Sequence, residues 1–158
     1  MKAQGSADVA SRIPLGPEDR AILALECATV AGHTCKVMRL GPHGPTPAAL
    51  RERIASRIYL APALTRRLSD NLTAPAWEAD PDFDLARHVV EHRHQRPVSP
   101  EGLLTCVARL FEQRLDRNRP LWHLYMIDGF GDGAALISRM PESNLPRNHM
   151  RARSGMGP

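Results

Sequence analysis

Aromatic side chains are scarce in this 158-residue chain. Two Trp, two Tyr and three Phe make up 4% of it, and none occurs after Phe130. Lysine is almost missing: Lys2 and Lys36 are the only two, and arginine supplies the rest of the positive charge. Such a bias can follow GC-rich coding and carries no functional weight. No run of about 18 apolar residues exists, which excludes a helical membrane span. The N-terminus MKAQGSADVASR has no apolar segment of the kind a signal peptide requires. Cys27, Cys35 and Cys106 are odd in number and lack metal-type spacing, so reduced thiols acting as small buried apolar residues are expected. These absences together imply a soluble, cytoplasmic chain.

What is present is ordinary for one globular domain: 42% apolar and 24% charged residues. The net charge of +4 divides between a balanced body and a basic tail. Residues 141–158 hold Arg147, Arg151 and Arg153 against Glu142, which leaves +2 on residues 1–140. Nucleic-acid binding needs a clustered basic face, so it is disfavoured.

Residues 1–12 read as a flexible lead-in. Pro17, Glu18 and Asp19 open a helix carrying Ile22, Leu23, Leu25 and Val30 and closing at Gly32. Residues 33–40 read as a strand, and GPHGP at 41–45 as a break. Thr46 caps a second helix with Leu50, Ile54 and Ile58 on one face. Leu64–Leu68 and residues 88–94 alternate like strands. Ser99 and Pro100 open a third helix with Leu103, Val107 and Leu110 inward. Leu121–Ile127 and Ala134–Met140 flank Gly129, Gly131 and Gly133 as a hairpin. Helices and strands mix without a regular alternation or an internal repeat, so the fold class is α/β or α+β. From Pro141 the apolar period is lost, and residues 141–158 are expected to form an irregular tail.

Several clusters invite a chemical reading. Asp80, Asp82, Asp84 and Glu91 occupy positions 1, 3, 5 and 12 of a calcium loop, but Leu85 stands where the sharp turn needs Gly. A solvated acidic turn is expected instead. His88, His92 and His94 would share one face of a strand; without a further ligand in reach, exposed histidines on an edge strand are expected and no zinc. The Gly129–Gly133 run lacks phosphate-loop spacing and leads into a strand, so it reads as a turn.

Four stretches are more specific. They are Pro14-Leu15 with Glu18-Asp19 and Leu25-Glu26; Leu60-Ala61-Pro62 with Leu64 and Arg66-Arg67-Leu68; Trp77 with Asp80-Pro81-Asp82-Phe83-Asp84-Leu85 and His88-Val89; and Leu115-Asp116-Arg117-Asn118-Arg119-Pro120-Leu121-Trp122. In this order and spacing, residues 13–140 resemble the N-terminal part of bacterial wax ester synthase/acyl-CoA:diacylglycerol acyltransferases. The resemblance implies the N-terminal lobe of a chloramphenicol acetyltransferase-like, condensation-domain fold, here incomplete. It also implies acyl transfer from acyl-CoA, the co-substrate, to diacylglycerol or a long-chain alcohol. Contact with the inner membrane face or lipid droplets would follow from such substrates, and no other cofactor and no metal is expected. Asp116, Arg117 and Arg119 are expected to form a structural ion-pair and capping cluster, and Phe83 and Trp122 to anchor the core. At least one of Arg66 and Arg67 should face solvent, where an anionic lipid surface could meet it.

The family's activity rests on an HHxxxDG motif directly after the strand matching Ala134–Met140, its second His taking the proton of the acceptor hydroxyl. Here the four fixed positions fall on Pro141, Glu142, Pro146 and Arg147, and none matches. Glu142 is a weak substitute base, and His149 lies seven residues beyond the expected one. No catalytic residue is therefore assigned. The expectation is a truncated family member that is inactive in this form, a frameshift or mis-predicted gene end being the simplest origin. The alternative is a non-catalytic lipid- or partner-binding remnant of the front lobe.

Overall fold

The computed structural model describes residues 12–27, 29–71, 73–92 and 97–141. The lead-in over residues 1–11 and the tail over 142–158 lie outside the described residues. A two-residue strand, β1 (Ile13–Pro14), leads into helix α1 (Pro17–Leu25). Pro17 needs no N–H partner in the first turn, and Glu18 and Asp19 face the positive end of the helix dipole. Instead of running to Gly32, α1 stops at Leu25. Glu26 becomes extended, and Cys27 and Val30 exchange backbone hydrogen bonds at 3.1 and 3.3 Å. Val30 therefore lies outside the helix and is 46% exposed.

Strand β2 (Thr34–Leu40) follows, then α2 (Pro47–Ala55), whose N-terminus is capped by the Thr46 hydroxyl accepting from the Ala49 N–H at 3.1 Å. Two tight 3-10 turns, Ile58–Leu60 and Pro62–Thr65, take up Ile58 and Leu64, so β3 is only Arg66–Leu68. After β4 (Ala76–Ala79), the expected strand over 88–94 is divided. Asp84 Oδ1 accepts from Ala86 N at 2.9 Å and caps a single helical turn, α3 (Leu85–His88), closed by the Val89 N–H on the Leu85 carbonyl. Only Val89–Glu91 remain as strand β5. Helix α4 (Pro100–Glu112) begins where the sequence implies, with the Ser99 hydroxyl accepting from Gly102 N at 3.0 Å. The hairpin β6 (His123–Phe130) and β7 (Gly133–Met140) completes the described chain.

The strands form two sheets, ordered β1-β4-β3 and β2-β7-β6-β5. All pairs are antiparallel except β5 with β6. Helix α4 covers one face of the larger sheet, where Leu103 and Leu110 meet Ile127, Ala135 and Ile137, with Val107 packed alongside. A second core joins Leu15, Leu68, Leu115 and Leu121, with Leu23 and Trp77 against it. Glycine is required at the hairpin turn: Gly129 and Gly131 have φ of 80° and 62°, in the left-handed region. The register breaks between Asp128 and Phe130 at the same place. Mixed α/β architecture is thus present, with the larger sheet carrying the C-terminal hairpin at its centre.

Candidate functional site

The acidic segment is built as a turn. Asp80 Oδ1 accepts from Asp82 N at 3.0 Å, while Asp84 is committed to capping α3. Glu91 sits on β5, away from that turn in the chain, and no three metal-ligating side chains converge among the described residues. Gly129–Gly133 make the hairpin bend.

The histidines depart from expectation. His88 ends a helical turn and does not lie on an exposed strand face; it is 2% exposed. Its ring stacks between Phe83 (centroids 5.3 Å) and Trp122 (4.6 Å), and meets His123 at 5.2 Å. Its Nδ1 lies 2.7 Å from the Trp122 carbonyl, so the neutral ring donates from Nδ1. His92 follows β5 and sets its ring edge-on to Tyr125 at 6.3 Å. His94 lies outside the described residues. His88 and His92 therefore do not share a strand face.

Trp122 is 3% exposed and donates from Nε1 to the Leu64 carbonyl at 2.8 Å. It joins three of the four recognised sequence stretches, because His88 and Phe83 belong to one, Leu64 to another and Trp122 to a third. Phe83 is half-buried beside it. Asp116 accepts from Asn118 N at 3.0 Å and pairs with Arg119 at 3.5 Å. Arg117 reaches across to Glu26 at the end of α1, with Nε 3.1 Å from Oε2 and Nη2 also in contact. These residues form the expected ion-pair cluster, and Arg117 supplies its capping contact by donating from Nη2 to the Leu23 carbonyl in the last turn of α1 at 3.4 Å.

At least one of Arg66 and Arg67 is expected from the sequence to face solvent, yet both are half-buried. Arg67 pairs with Glu78 at 2.7 Å and Asp70 at 3.5 Å; Arg66 Nη1 lies 3.5 Å from the Trp77 carbonyl. Neighbouring carboxylates and the adjacent strand draw in both heads. Of the cysteines, Cys35 and Cys106 are half-buried, and burial pushes both thiols up. Cys27 is exposed, since the early end of α1 places it in a surface turn.

A cluster not foreseen from the sequence lies at the Met140 end of the larger sheet. The β2–β7–β6 register puts Cys35, Arg139 and His123 side by side. Arg139 is 2% exposed and pairs with no carboxylate among the described residues. It bonds instead to His33 Nε2 (Nη2 at 3.2 Å), the Tyr125 hydroxyl (3.4 Å) and the Gln113 carbonyl. Burial, then the Arg139 charge, holds His33 below the ordinary imidazole range; Glu26 opposes. Burial pushes His123 down to about 4, helped by repulsion from His88, Arg139 and Arg119. Its Nδ1 is buried with no hydrogen-bond partner among the described residues. His88 is also lowered by burial, against the pull of its Trp122 carbonyl bond. All three rings are thus neutral packing groups at pH 7 and weak proton acceptors. Of the three histidines, Arg139 and their hydrogen-bond partners, only His88 and Trp122 belong to the four stretches that the sequence singles out. A lone Arg late in an apolar strand gave no signal of this contact.

Pro141, the first of the four positions where the catalytic motif would fall, is buried at the end of β7. Glu142, Pro146, Arg147 and His149 lie outside the described residues. Among the described residues no helix is long and apolar enough to cross a membrane.

Comparison with known proteins agrees with this arrangement. Residues 15–141 match the profile of the wax ester synthase/diacylglycerol acyltransferase catalytic domain. The chain is similar to a probable diacylglycerol O-acyltransferase of Mycobacterium tuberculosis, 39% identical over 103 residues, covering 61% of this chain and 22% of that protein. A second probable diacylglycerol O-acyltransferase of M. tuberculosis is 32% identical over 96 residues, or 59% of this chain and 35% of that one. Among solved structures, the wax ester synthase/diacylglycerol acyltransferase from Marinobacter aquaeolei VT8 superposes with a TM-score of 0.67 at 26% identity, over 84% of this chain and 34% of that one. The chain thus spans between a fifth and about a third of the length of these relatives.

Proposed function

Because this chain belongs to the wax ester synthase/diacylglycerol acyltransferase catalytic-domain family, we propose that it carries the front lobe of an acyl-CoA-dependent O-acyltransferase whose reaction passes an acyl group to diacylglycerol or a long-chain alcohol, and that the chain as it stands does not perform that transfer. One observation carries the second half: β7 ends at Met140, and Pro141 and Glu142 stand where the family's two histidines are expected. A hydroxyl is a poor nucleophile unless a base takes its proton, and such assistance contributes typically about 10²–10⁴-fold. A carboxylate with an ordinary pKa of about 4.3 is far weaker in that role than imidazole. The described histidines nearby, His33, His88 and His123, are engaged in packing and are lowered in basicity. Acceptors of this kind partition into lipid, so contact with the inner membrane face or lipid droplets belongs to the same proposal.

The test is an assay of the 158-residue chain with palmitoyl-CoA and either diacylglycerol or hexadecanol. No turnover above the uncatalysed background is expected. Replacing Pro141→His and Glu142→His together should stay silent, since positions 146 and 147 still lack the Asp and Gly that complete the motif. Turnover by the unaltered chain, abolished by Glu142→Gln or His149→Ala, would show that the base has been misplaced.

A further inference from the structure

We propose that the cleft between α1, the β3–β4 turn and the Asp116–Arg119 turn binds a monoanionic amphiphile, a medium-chain fatty-acid carboxylate. The cleft has a volume of about 470 Å³, within the range of about 300–1,000 Å³ common to small-molecule sites. Its floor is one edge of the second core: Leu15 and Leu68, 5% and 7% exposed, with the partly buried Leu23 against them. Among the described residues no aromatic ring lines it, so they offer no stacking platform for a nucleobase or a sugar.

The charge at the rim selects the head group. Arg117 pairs with Glu26, which Arg114 also approaches at 4.0 Å, and Asp70 lies 3.5 Å from Arg67, whose nearer partner is Glu78. Asp19, next to Arg20 in sequence, accepts instead from Trp77 Nε1 at 2.9 Å. Arg20 donates from Nε to the Leu15 carbonyl at 3.2 Å, and among the described residues its guanidinium meets no carboxylate. Arg20 therefore brings to this apolar cleft a guanidinium with no carboxylate partner among the described residues. A single carboxylate can take its two terminal nitrogens as a bidentate pair while an alkyl chain covers Leu15, Leu23 and Leu68. A phosphate dianion would call for a second free cation, and a neutral alcohol would leave the guanidinium unmatched. This site uses none of the residues invoked for acyl transfer and stands independently of that reading.

Isothermal titration of the full chain with octanoate, decanoate and decan-1-ol, below micelle formation, tests it. Saturable one-to-one binding of decanoate is expected, with affinity rising up to about fourfold for each added methylene. Decanoate should bind at least tenfold more tightly than decan-1-ol. Arg20→Gln changes an exposed side chain, so the fold survives, and it should erase the difference between acid and alcohol. Leu23→Trp should fill the floor and remove both ligands; an unchanged circular dichroism spectrum confirms that it is folded. Absence of decanoate binding to the unaltered chain, equal affinity for acid and alcohol, or an Arg20→Gln variant that keeps the preference would each overturn the proposal.

Discussion

Arg139 and His33 lie side by side in the interior, with Arg139 Nη2 3.2 Å from His33 Nε2. A neutral imidazole can accept from that guanidinium; a protonated one can only repel it. The same logic governs His123, whose pKa falls to about 4 from the ordinary 6.5, and His88, lowered by burial. All three bind protons less readily when folded than when unfolded, so the unfolded state holds more protons as pH falls below about 6.5. Their contribution to stability is complete above that pH and is lost as pH falls through the lowered values of the folded state, which for His123 is about 4. Urea unfolding at pH 7 and at pH 5 should therefore give a lower midpoint at pH 5. Arg139→Met removes repulsion from both His33 and His123, and should narrow the gap between the two midpoints even if it lowers both. Equal midpoints for the unaltered chain would refute this account.

Trp122 and Trp77 offer an internal comparison. Trp122 donates to the Leu64 carbonyl from a 3%-exposed position, so Trp122→Phe strands an acceptor beside the core. A cost of about 1–3 kcal/mol is expected. Trp77 donates to the half-exposed Asp19 carboxylate, which water can satisfy after Trp77→Phe. That variant should lose less. Equilibrium denaturation of both variants checks the order, and a larger loss at Trp77 would contradict it.

Zinc should not bind with structural stoichiometry. His88 has its Nδ1 on the Trp122 carbonyl and its ring stacked with Phe83 and Trp122, so presenting it to a metal would dismantle those two stacks. Metal analysis of the purified chain should find well under one zinc per molecule. One equivalent of zinc, lost on His92→Ala, would reverse that conclusion.

Local chemistry accounts for what the sequence made visible. The starts of α1, α2 and α4 were legible because Pro at the first turn acts within a few residues, with Thr46 and Ser99 adding side-chain caps at the latter two. The hairpin was legible because glycines separated two apolar runs. The short L-D-R-x-R-P-L-W stretch pointed to the family, while the roles of its members emerged only on folding: Arg117 finds Glu26, 91 residues away, and Trp122 finds Leu64, 58 away. The misreadings share a cause. Residues 88–94 alternate, yet a single cap from Asp84 outweighed that period and turned His88 inward. Arg139 carried no signal of its role, because its partners come from Gln113, Tyr125 and His33, three separate parts of the chain.

The hairpin glycines should differ sharply in their tolerance of a methyl group. At Gly131 the φ of 62° strains any other residue, at a cost of about 1–2 kcal/mol. A Cβ there would approach Arg39 Nη2 at 2.9 Å, but that is the end of an exposed flexible side chain, which can move aside. At Gly133 a Cβ would lie 2.3 Å from the Leu40 carbonyl oxygen and 2.5 Å from the Gly41 carbonyl carbon and oxygen. Those atoms are backbone, fixed by the pairing of Leu40 with Ala134 at the end of β2. Relief requires β2 to separate from β7, so Gly133→Ala should cost more than Gly131→Ala, with amide exchange accelerating over residues 37–40. A Gly133→Ala variant as stable as the unaltered chain, with that exchange unchanged, would mean that the two strands do not approach as closely as described.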